Sequence, residues 1–254
     1  MHNPGNFELT EPIAYPQKCG PLTVLSPPAG AQLGLGEFVL TNRSGGAANV
    51  GLAWKIPNGL WKAGQIIVAN TPDYSDDTTD AQSAATGDFP LFTTTANDGF
   101  LVQSPVKFNV IGMTVSTALI GAPTIVYEYY DGTAMVTLTT IEAEVVFATG
   151  DKFTVFQSPV DWAKGSTAAV GADSDKYCIQ ARASVAPTTA PIASILWLGQ
   201  LINFFPSLGN NAAQDFEVQG EIVIQAAASV MPYFGTANAA NSVQLHWRRL
   251  GHIP

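Results

Sequence analysis

The chain has 254 residues, of which only 12% are charged, about half of what soluble globular domains carry. Its net charge of −9 argues against a surface for DNA or RNA, because nucleic-acid binding needs a basic patch. The amino terminus lacks the regions of a secretory signal, and no apolar run reaches the length of a membrane span, so we predict a soluble protein made in a reducing cytoplasm. Two cysteines, Cys19 and Cys178, are too few for a disulfide framework and lack zinc-site spacing. A surface so poor in charge suits burial against partners.

Residues 1–35 form the first predicted segment, which is rich in proline and glycine and therefore extended. It also carries apolar residues such as Ile13, Tyr15 and Leu22, which a flexible linker would normally lack. We therefore predict an arm that crosses the surface of a neighbouring subunit, with a flexible linker as the alternative.

Residues 36–254 read as one β-sandwich or jelly-roll domain, because period-two alternation dominates and no helical period persists beyond about two turns. Residues 190–254 either complete this sandwich or extend it and take part in oligomer packing. The predicted strands cover 36–41, 49–56, 64–69, 100–104, 107–117, 124–130, 134–138, 142–148, 152–157, 176–185, 216–226 and 242–251.

Turn residues separate these strands, as in Asn97-Asp98-Gly99 and Asp131-Gly132. Thr149-Gly150-Asp151 predicts a hairpin between strands 142–148 and 152–157. The alternation changes phase at Gly112, which predicts a β-bulge. In strand 176–185 we expect Tyr177 and its alternate neighbours to face the core, and Cys178 and its alternate neighbours to face outward.

The stretch TPDYSDDTTD at 71–80 is the densest cluster of acidic side chains. Calcium prefers several oxygen ligands at close spacing, and these aspartates could supply them. The order of an EF-hand loop is missing, however, and aspartate and threonine are ordinary loop residues. We favour a structural loop, with Asp77 or Thr78 capping a short helix, and keep a calcium site as the alternative. The candidate metal ligands are Asp73, Asp76, Asp77 and Asp80.

No sequence motif points to catalysis. The three histidines, His2, His246 and His252, have no nucleophile elbow beside them, and no phosphate-binding or dinucleotide-binding glycine motif is present. We predict that the protein is not an enzyme and needs no cofactor. The tryptophans could serve as sugar-stacking platforms, but core positions are favoured. The Asn42 glycosylation sequon is taken as accidental.

Several segments resemble, in order, virion structural proteins of tailed bacteriophages. They are DYSDDTTDAQSA, DGFLVQSPVKFNVIGMTVSTA, TIVYEYYDGTAMVTL, VFQSPVDWAKG and YCIQARAS, which together span about Tyr74 to Ser184. The resemblance implies a β-sandwich or jelly-roll component of the particle, such as a capsid decoration (cement) protein, a head fibre or a tail appendage. It also implies that PVDWAKG is a structural turn, in which Asp161 caps one helical turn and Trp162 anchors the turn in the core.

We therefore expect a capsid decoration protein that bridges capsid subunits and stabilises the shell. Its expected partners are two further copies of itself, in a homotrimer, and the major capsid protein, without nucleic acid or membrane. Its expected location is the capsid surface of the virion, after synthesis in the host cytoplasm. The alternative is a tail or fibre component that binds glycans of the host surface.

Overall fold

The computed structural model describes residues 32–43, 45–56, 66–69, 74–165, 173–224, 229–234 and 242–250. The chain divides into two compact units, one of Ile56–Gln200 and one of Met1–Lys55 with Leu201–Pro254. The described elements are, in chain order, β1 (Gln32–Thr41), β2 (Ala48–Lys55), β3 (Ile66–Ala69), β4 (Tyr74–Asp76), α1 (Thr78–Ala81), β5 (Phe89–Pro90), β6 (Gly99–Ser104), β7 (Val110–Thr117), β8 (Ile125–Tyr130), β9 (Met135–Thr137), β10 (Thr140–Glu142), β11 (Gly150–Phe156), β12 (Tyr177–Ala183), β13 (Ile192–Leu208), β14 (Ala213–Ile224), β15 (Ser229–Phe234) and β16 (Ser242–Leu250).

The unit Ile56–Gln200 is an antiparallel β-sandwich, which confirms the predicted fold class. One sheet runs in the order β10-β11-β7-β13, with β5 also paired to β13, and the other runs β4-β3-β6-β12-β8-β9. Alternate side chains of both sheets meet in one apolar core, as sheet packing requires. Rings fill much of that core, with edge-to-face contacts such as Phe92 against Phe147 at 5.1 Å and Phe108 against Trp162 at 5.1 Å.

The other unit contains a three-stranded antiparallel sheet with β1 between β14 and β16. Both ladders shift register between Leu35 and Glu37. Gly36 is the extra residue against β16, whereas against β14 the irregularity lies mainly in the partner strand, where residues 218–221 fall between the paired positions. Strand β2 pairs with β15 from Val50 opposite Phe234 to Lys55 opposite Ser229. No helix among the described residues is long and apolar enough to span a membrane.

The predicted segment boundaries agree only in part with the bounds of the observed strands. Most of the predicted arm, 1–35, lies outside the described residues, but β1 already begins at Gln32, within the last four residues of that arm. Strands β13 to β16 occupy the described parts of 190–254. Whether the arm reaches a neighbour, and whether the C-terminal segment packs in an oligomer, stay predictions.

The β-bulge predicted at Gly112 is wrong. The β11–β7 ladder continues without a shift, with Gly112 opposite Phe153, and the shifts in the β13–β7 ladder lie at Ala193 instead. Glycine is needed at 112 for space, because a Cβ there would lie 2.0 Å from ring atoms of Trp197. The alternation changes phase because both faces of β7 are buried.

The predicted outward face of β12 is also wrong in part. Cys178 is completely buried and packs against Leu101, which is also buried. Gln180 is almost completely buried. Burial raises the pKa of the Cys178 thiol to about 12. The predicted inward residue Val185 lies beyond the end of β12 and is exposed. The pattern predicted one buried face, but this central strand is covered on both.

Candidate interaction surface

The acidic stretch folds as a hydrogen-bonded loop around α1. The Asp76 Oδ1 atom accepts the Thr78 N–H at 3.0 Å, and the Asp77 carbonyl accepts the Ala81 N–H at 2.9 Å. Asp77 occupies the N-cap position, but its side chain makes no capping hydrogen bond. The predicted short helix is therefore confirmed, whereas the predicted side-chain cap from Asp77 is not.

The structure describes three of the four candidate metal ligands. Asp80 lies in the first turn of α1, close in sequence to Asp76 and Asp77, while Asp73 lies outside the described residues. Within the described ranges, no group of three or more His, Cys, Asp and Glu side chains is placed to hold a metal ion. Calcium binding that includes Asp73 stays the untested alternative to the favoured structural loop.

The predicted turn at 159–162 is present, but it holds no helix. The Trp162 N–H donates to the Pro159 carbonyl at 3.4 Å, and Asp161 accepts the Tyr129 hydroxyl at 2.9 Å instead of capping a helical turn. The indole of Trp162 is buried and its Nε1 donates to the Cys178 carbonyl at 3.1 Å. Trp162 is confirmed as the core anchor of the turn.

The other sequence candidates take structural or undescribed positions. Trp197 is buried and Trp54 is half-buried, whereas the side chains of Trp61, Trp247 and all three histidines are outside the described part. Asn42 is fully buried, and its Nδ2 atom donates to the Leu208 carbonyl at 2.6 Å. The sequon is thus inaccessible in the folded chain, because glycosylation needs that nitrogen.

An exposed apolar surface lies where the sequence predicted a regular strand. Segment 142–148 is extended only to Glu142, and 143–149 forms the loop between β10 and β11. We call the apolar rim the group of four exposed side chains in and beside this loop, Ile120 (57% exposed), Ile141 (44%), Val145 (45%) and Val146 (63%). Leu119 N–H donates to the Phe147 carbonyl at 3.1 Å and so ties the segment of Ile120 to the loop.

The valines of the rim are held outward by the residues on either side of them. The Glu144 Oε1 atom accepts the N–H groups of Val146 at 2.8 Å and of Phe147 at 2.5 Å. Phe147 adopts a φ of 46°, which is costly for a residue with a side chain, and is completely buried against Phe92. The loop therefore fixes Val145 and Val146 in solvent while it buries Phe147.

A closed ring of three hydrogen bonds fixes the start of the same loop. Glu144 N–H donates to Thr154 Oγ1 at 3.0 Å, Thr154 Oγ1 donates to the Tyr127 hydroxyl at 2.9 Å, and that hydroxyl donates to the Glu144 carbonyl at 2.8 Å. Tyr127 and Thr154 are both buried. Burial, foremost, raises the pKa of Tyr127 well above its usual range, so the phenol stays neutral and able to donate.

Ile141 is exposed by a bulge in β10. Thr140 pairs with Phe156 and Glu142 with Val155, so Ile141 is the extra residue. Strand β10 is also the last strand at its end of the described sheet. A bulge on an edge strand re-aims a side chain and discourages unspecific strand pairing, which leaves side-chain contacts as the means of binding here.

Sequence reasoning missed the rim because 142–148 looked like a half-buried strand. The signal that points to it is the adjacent pair Val145-Val146, since two neighbouring residues of one strand cannot both face the same core. The rim offers apolar contact in a fixed geometry. That is the chemistry of a protein interface.

Comparison with known proteins gives no further guide, because no protein-family model, no curated protein and no solved structure matches the chain.

Proposed function

We propose that the chain is a structural protein of a phage virion, a decoration protein that binds neighbouring subunits of the capsid as a homotrimer and stabilises the shell. The proposal is supported by the resemblance of about Tyr74 to Ser184 to phage virion proteins and by the low charged fraction of 12%. It assigns the apolar rim to the contact with a capsid subunit.

The observation that carries this proposal is the way in which Val145 and Val146 are exposed. Free apolar side chains on a mobile loop would lose conformational entropy on binding. Here the carboxylate of Glu144 and the burial of Phe147 have already fixed the backbone, so that cost is small. A surface ordered before contact is what a permanent particle interface needs.

Adding such a contact would stabilise the shell by mass action. A protein that binds only the assembled capsid lowers the free energy of that assembly by an amount that grows with the logarithm of the protein's concentration relative to its dissociation constant. The net charge of −9 would keep the coated particles apart in solution.

The test is immunogold electron microscopy of purified virions with antibody against this chain. The proposal predicts label distributed over the head. Label confined to the tail or to one vertex would overturn the decoration role. Light scattering coupled to size exclusion would test the homotrimer separately, and a monomer at micromolar concentration would contradict it.

A further inference from the structure

A second surface of the sandwich unit brings two lysines to one aromatic ring. The ammonium groups of Lys107 and Lys164 each lie 5.4 Å from the ring centroid of Tyr177. Neither lysine forms a salt bridge with a described residue, unlike Lys176, which is paired with Asp173. Only 11 basic residues are present in the whole chain, against 20 acidic ones. Two lysines without a salt bridge to a described residue therefore meet at one aromatic ring.

Three separate segments bring this cluster together. Tyr177 begins β12 opposite Ser104 at the end of β6, and Lys107 follows three residues later. Lys164 forms an isolated antiparallel bridge with Tyr177. The Tyr177 ring rests edge-to-face on the buried Trp162 at 5.3 Å, so the ring is a fixed and half-buried base for the two flexible cations.

Hydrogen-bonding groups for hydroxyls lie on the same face. Tyr129 pairs with Ile179, and alternation along β12 puts Tyr177 on the same core-facing side as the buried Ile179, where both tyrosine rings pack half-buried against the core. The Tyr129 hydroxyl donates to Asp161 Oδ1 at 2.9 Å, a hydrogen bond that is the main cause of the raised pKa of Tyr129. Asp161 is exposed, and a carboxylate that accepts one bond keeps further lone pairs for other donors.

We propose that Lys107, Tyr129, Asp161, Lys164 and Tyr177 form a binding site for an acidic sugar. The two ammonium groups lie no more than twice 5.4 Å apart, and they attract the carboxylate of a uronic or sialic type of residue. Asp161 and the Tyr129 hydroxyl bind the hydroxyls of the same or the next ring. This site is independent of the proposed contact through the apolar rim.

The neighbouring charges decide between a sugar and a simple anion. Asp161 precedes Lys164 by three residues, and its negative charge disfavours a small anion that only the lysines would hold. A ligand that combines one carboxylate with several hydroxyls satisfies both kinds of group. Inorganic phosphate satisfies only the lysines.

The test is a titration of the full chain with tetragalacturonate. Isothermal calorimetry measures the binding, and the NMR signals of the Tyr177 ring report where the ligand binds. Neutral galactotetraose and inorganic phosphate are the comparison ligands. We expect tetragalacturonate to bind and to shift the Tyr177 signals, and the two comparison ligands to bind at least about tenfold more weakly. The proposal is overturned if tetragalacturonate does not bind at millimolar concentration. It is also overturned if inorganic phosphate binds as tightly as tetragalacturonate does.

Matched variants locate the site. Lys107→Gln with Lys164→Gln keeps much of each side-chain stem, and we expect about tenfold weaker binding because two screened ion pairs are lost. Lys152→Gln, on β11, changes the net charge away from Tyr177 and leaves binding unchanged. Tyr129→Phe weakens binding about two- to fivefold. Equal losses in the Lys152→Gln and the double variant would show an effect of bulk charge and overturn the assignment.

Discussion

Two hairpin loops of the sandwich unit, β8–β9 and β10–β11, are built in opposite ways. In the first, Asp131 Oδ1 accepts the N–H groups of Thr133 at 2.7 Å and Ala134 at 2.8 Å, and Gly132 supplies the positive φ of 101°. In the second, the positive φ falls on Phe147, which the core holds in place. The first loop is stabilised by its own residues and the second by the rest of the fold.

This difference bears on function. A loop that is closed by its own side chains can form wherever its strands end, and it needs no partner to explain it. The second loop places a phenylalanine in a costly conformation and exposes two valines beside it. The burial of Phe147 in the core offsets that cost, and the result is an exposed apolar surface. Variants of the two loops therefore separate local closure, tertiary anchoring and binding.

The largest effect is expected from Phe147→Ala. Removal of a completely buried ring should lower the free energy of unfolding by about 3–5 kcal/mol, because a cavity is left beside Phe92. Val146→Ala, one residue away, is the control and should change it by less than about 0.5 kcal/mol. Urea denaturation measures both. A loss below about 1 kcal/mol for Phe147→Ala would mean that the core does not hold this loop.

A smaller effect is expected from Tyr127→Phe, which opens the ring of hydrogen bonds at Glu144. The Glu144 carbonyl loses its buried donor and Thr154 its acceptor, so the free energy of unfolding should fall by about 1–3 kcal/mol. Tyr130→Phe removes an exposed hydroxyl, bonded to the Gly132 carbonyl of the other loop, and should cost less than about 1 kcal/mol. Equal losses would remove the distinction between the two loops.

The pH dependence of the same variants sharpens this result. Burial raises the pKa of Tyr127 in the folded chain, whereas in the unfolded chain a tyrosine ionises near pH 10. The stabilisation by the neutral phenol is therefore complete below about pH 10 and is lost as the pH rises further. Melting temperatures between pH 9 and 11 should fall more steeply for the wild type than for Tyr127→Phe. Parallel curves would contradict the buried, neutral phenol.

Asp131→Ala should have the smallest effect on stability, with the opposite dependence on pH. Hydrogen bonds from Ala134 and Thr133 lower the pKa of Asp131. Their contribution is present above the unfolded aspartate pKa of about 3.9 and disappears as the pH falls through the lower folded value. The variant should thus be less stable than the wild type at pH 7 and equal to it near pH 2. A difference that persists at the acidic end would assign it to packing.

The sequence predicted structure where the cause is local. Asp131-Gly132 specifies its turn through one side chain and one residue without a Cβ, and the structure confirms it. The antiparallel sandwich followed from period-two alternation, which reflects the simple geometry of a strand beside a core. The core position of Trp162 was expected from the resemblance to phage virion proteins, and the structure confirms that position.

The sequence-based predictions were wrong where a contact with a residue distant in sequence determines the local structure. Gly112 looked like a bulge, but the indole of Trp197, 85 positions along the chain, occupies the space of its missing side chain. Cys178 was placed outward because alternation says nothing about a second covering layer. The apolar rim was missed because Phe147, rather than the valines before it, is drawn into the core. Each error is a tertiary contact that overrides a local pattern.

The central claim is that the apolar rim, and no other hairpin loop of the same sandwich, makes the contact with the capsid. The direct measurement is co-sedimentation of three chains with phage heads stripped of this protein: the wild type, Val145→Ser with Val146→Ser, and Asp131→Ala. Both valines are exposed, so the double variant should keep its stability within about 0.5 kcal/mol, yet bind at least about tenfold more weakly than the wild type. Asp131→Ala should bind as the wild type does. Undiminished sedimentation of the double variant would contradict the claim.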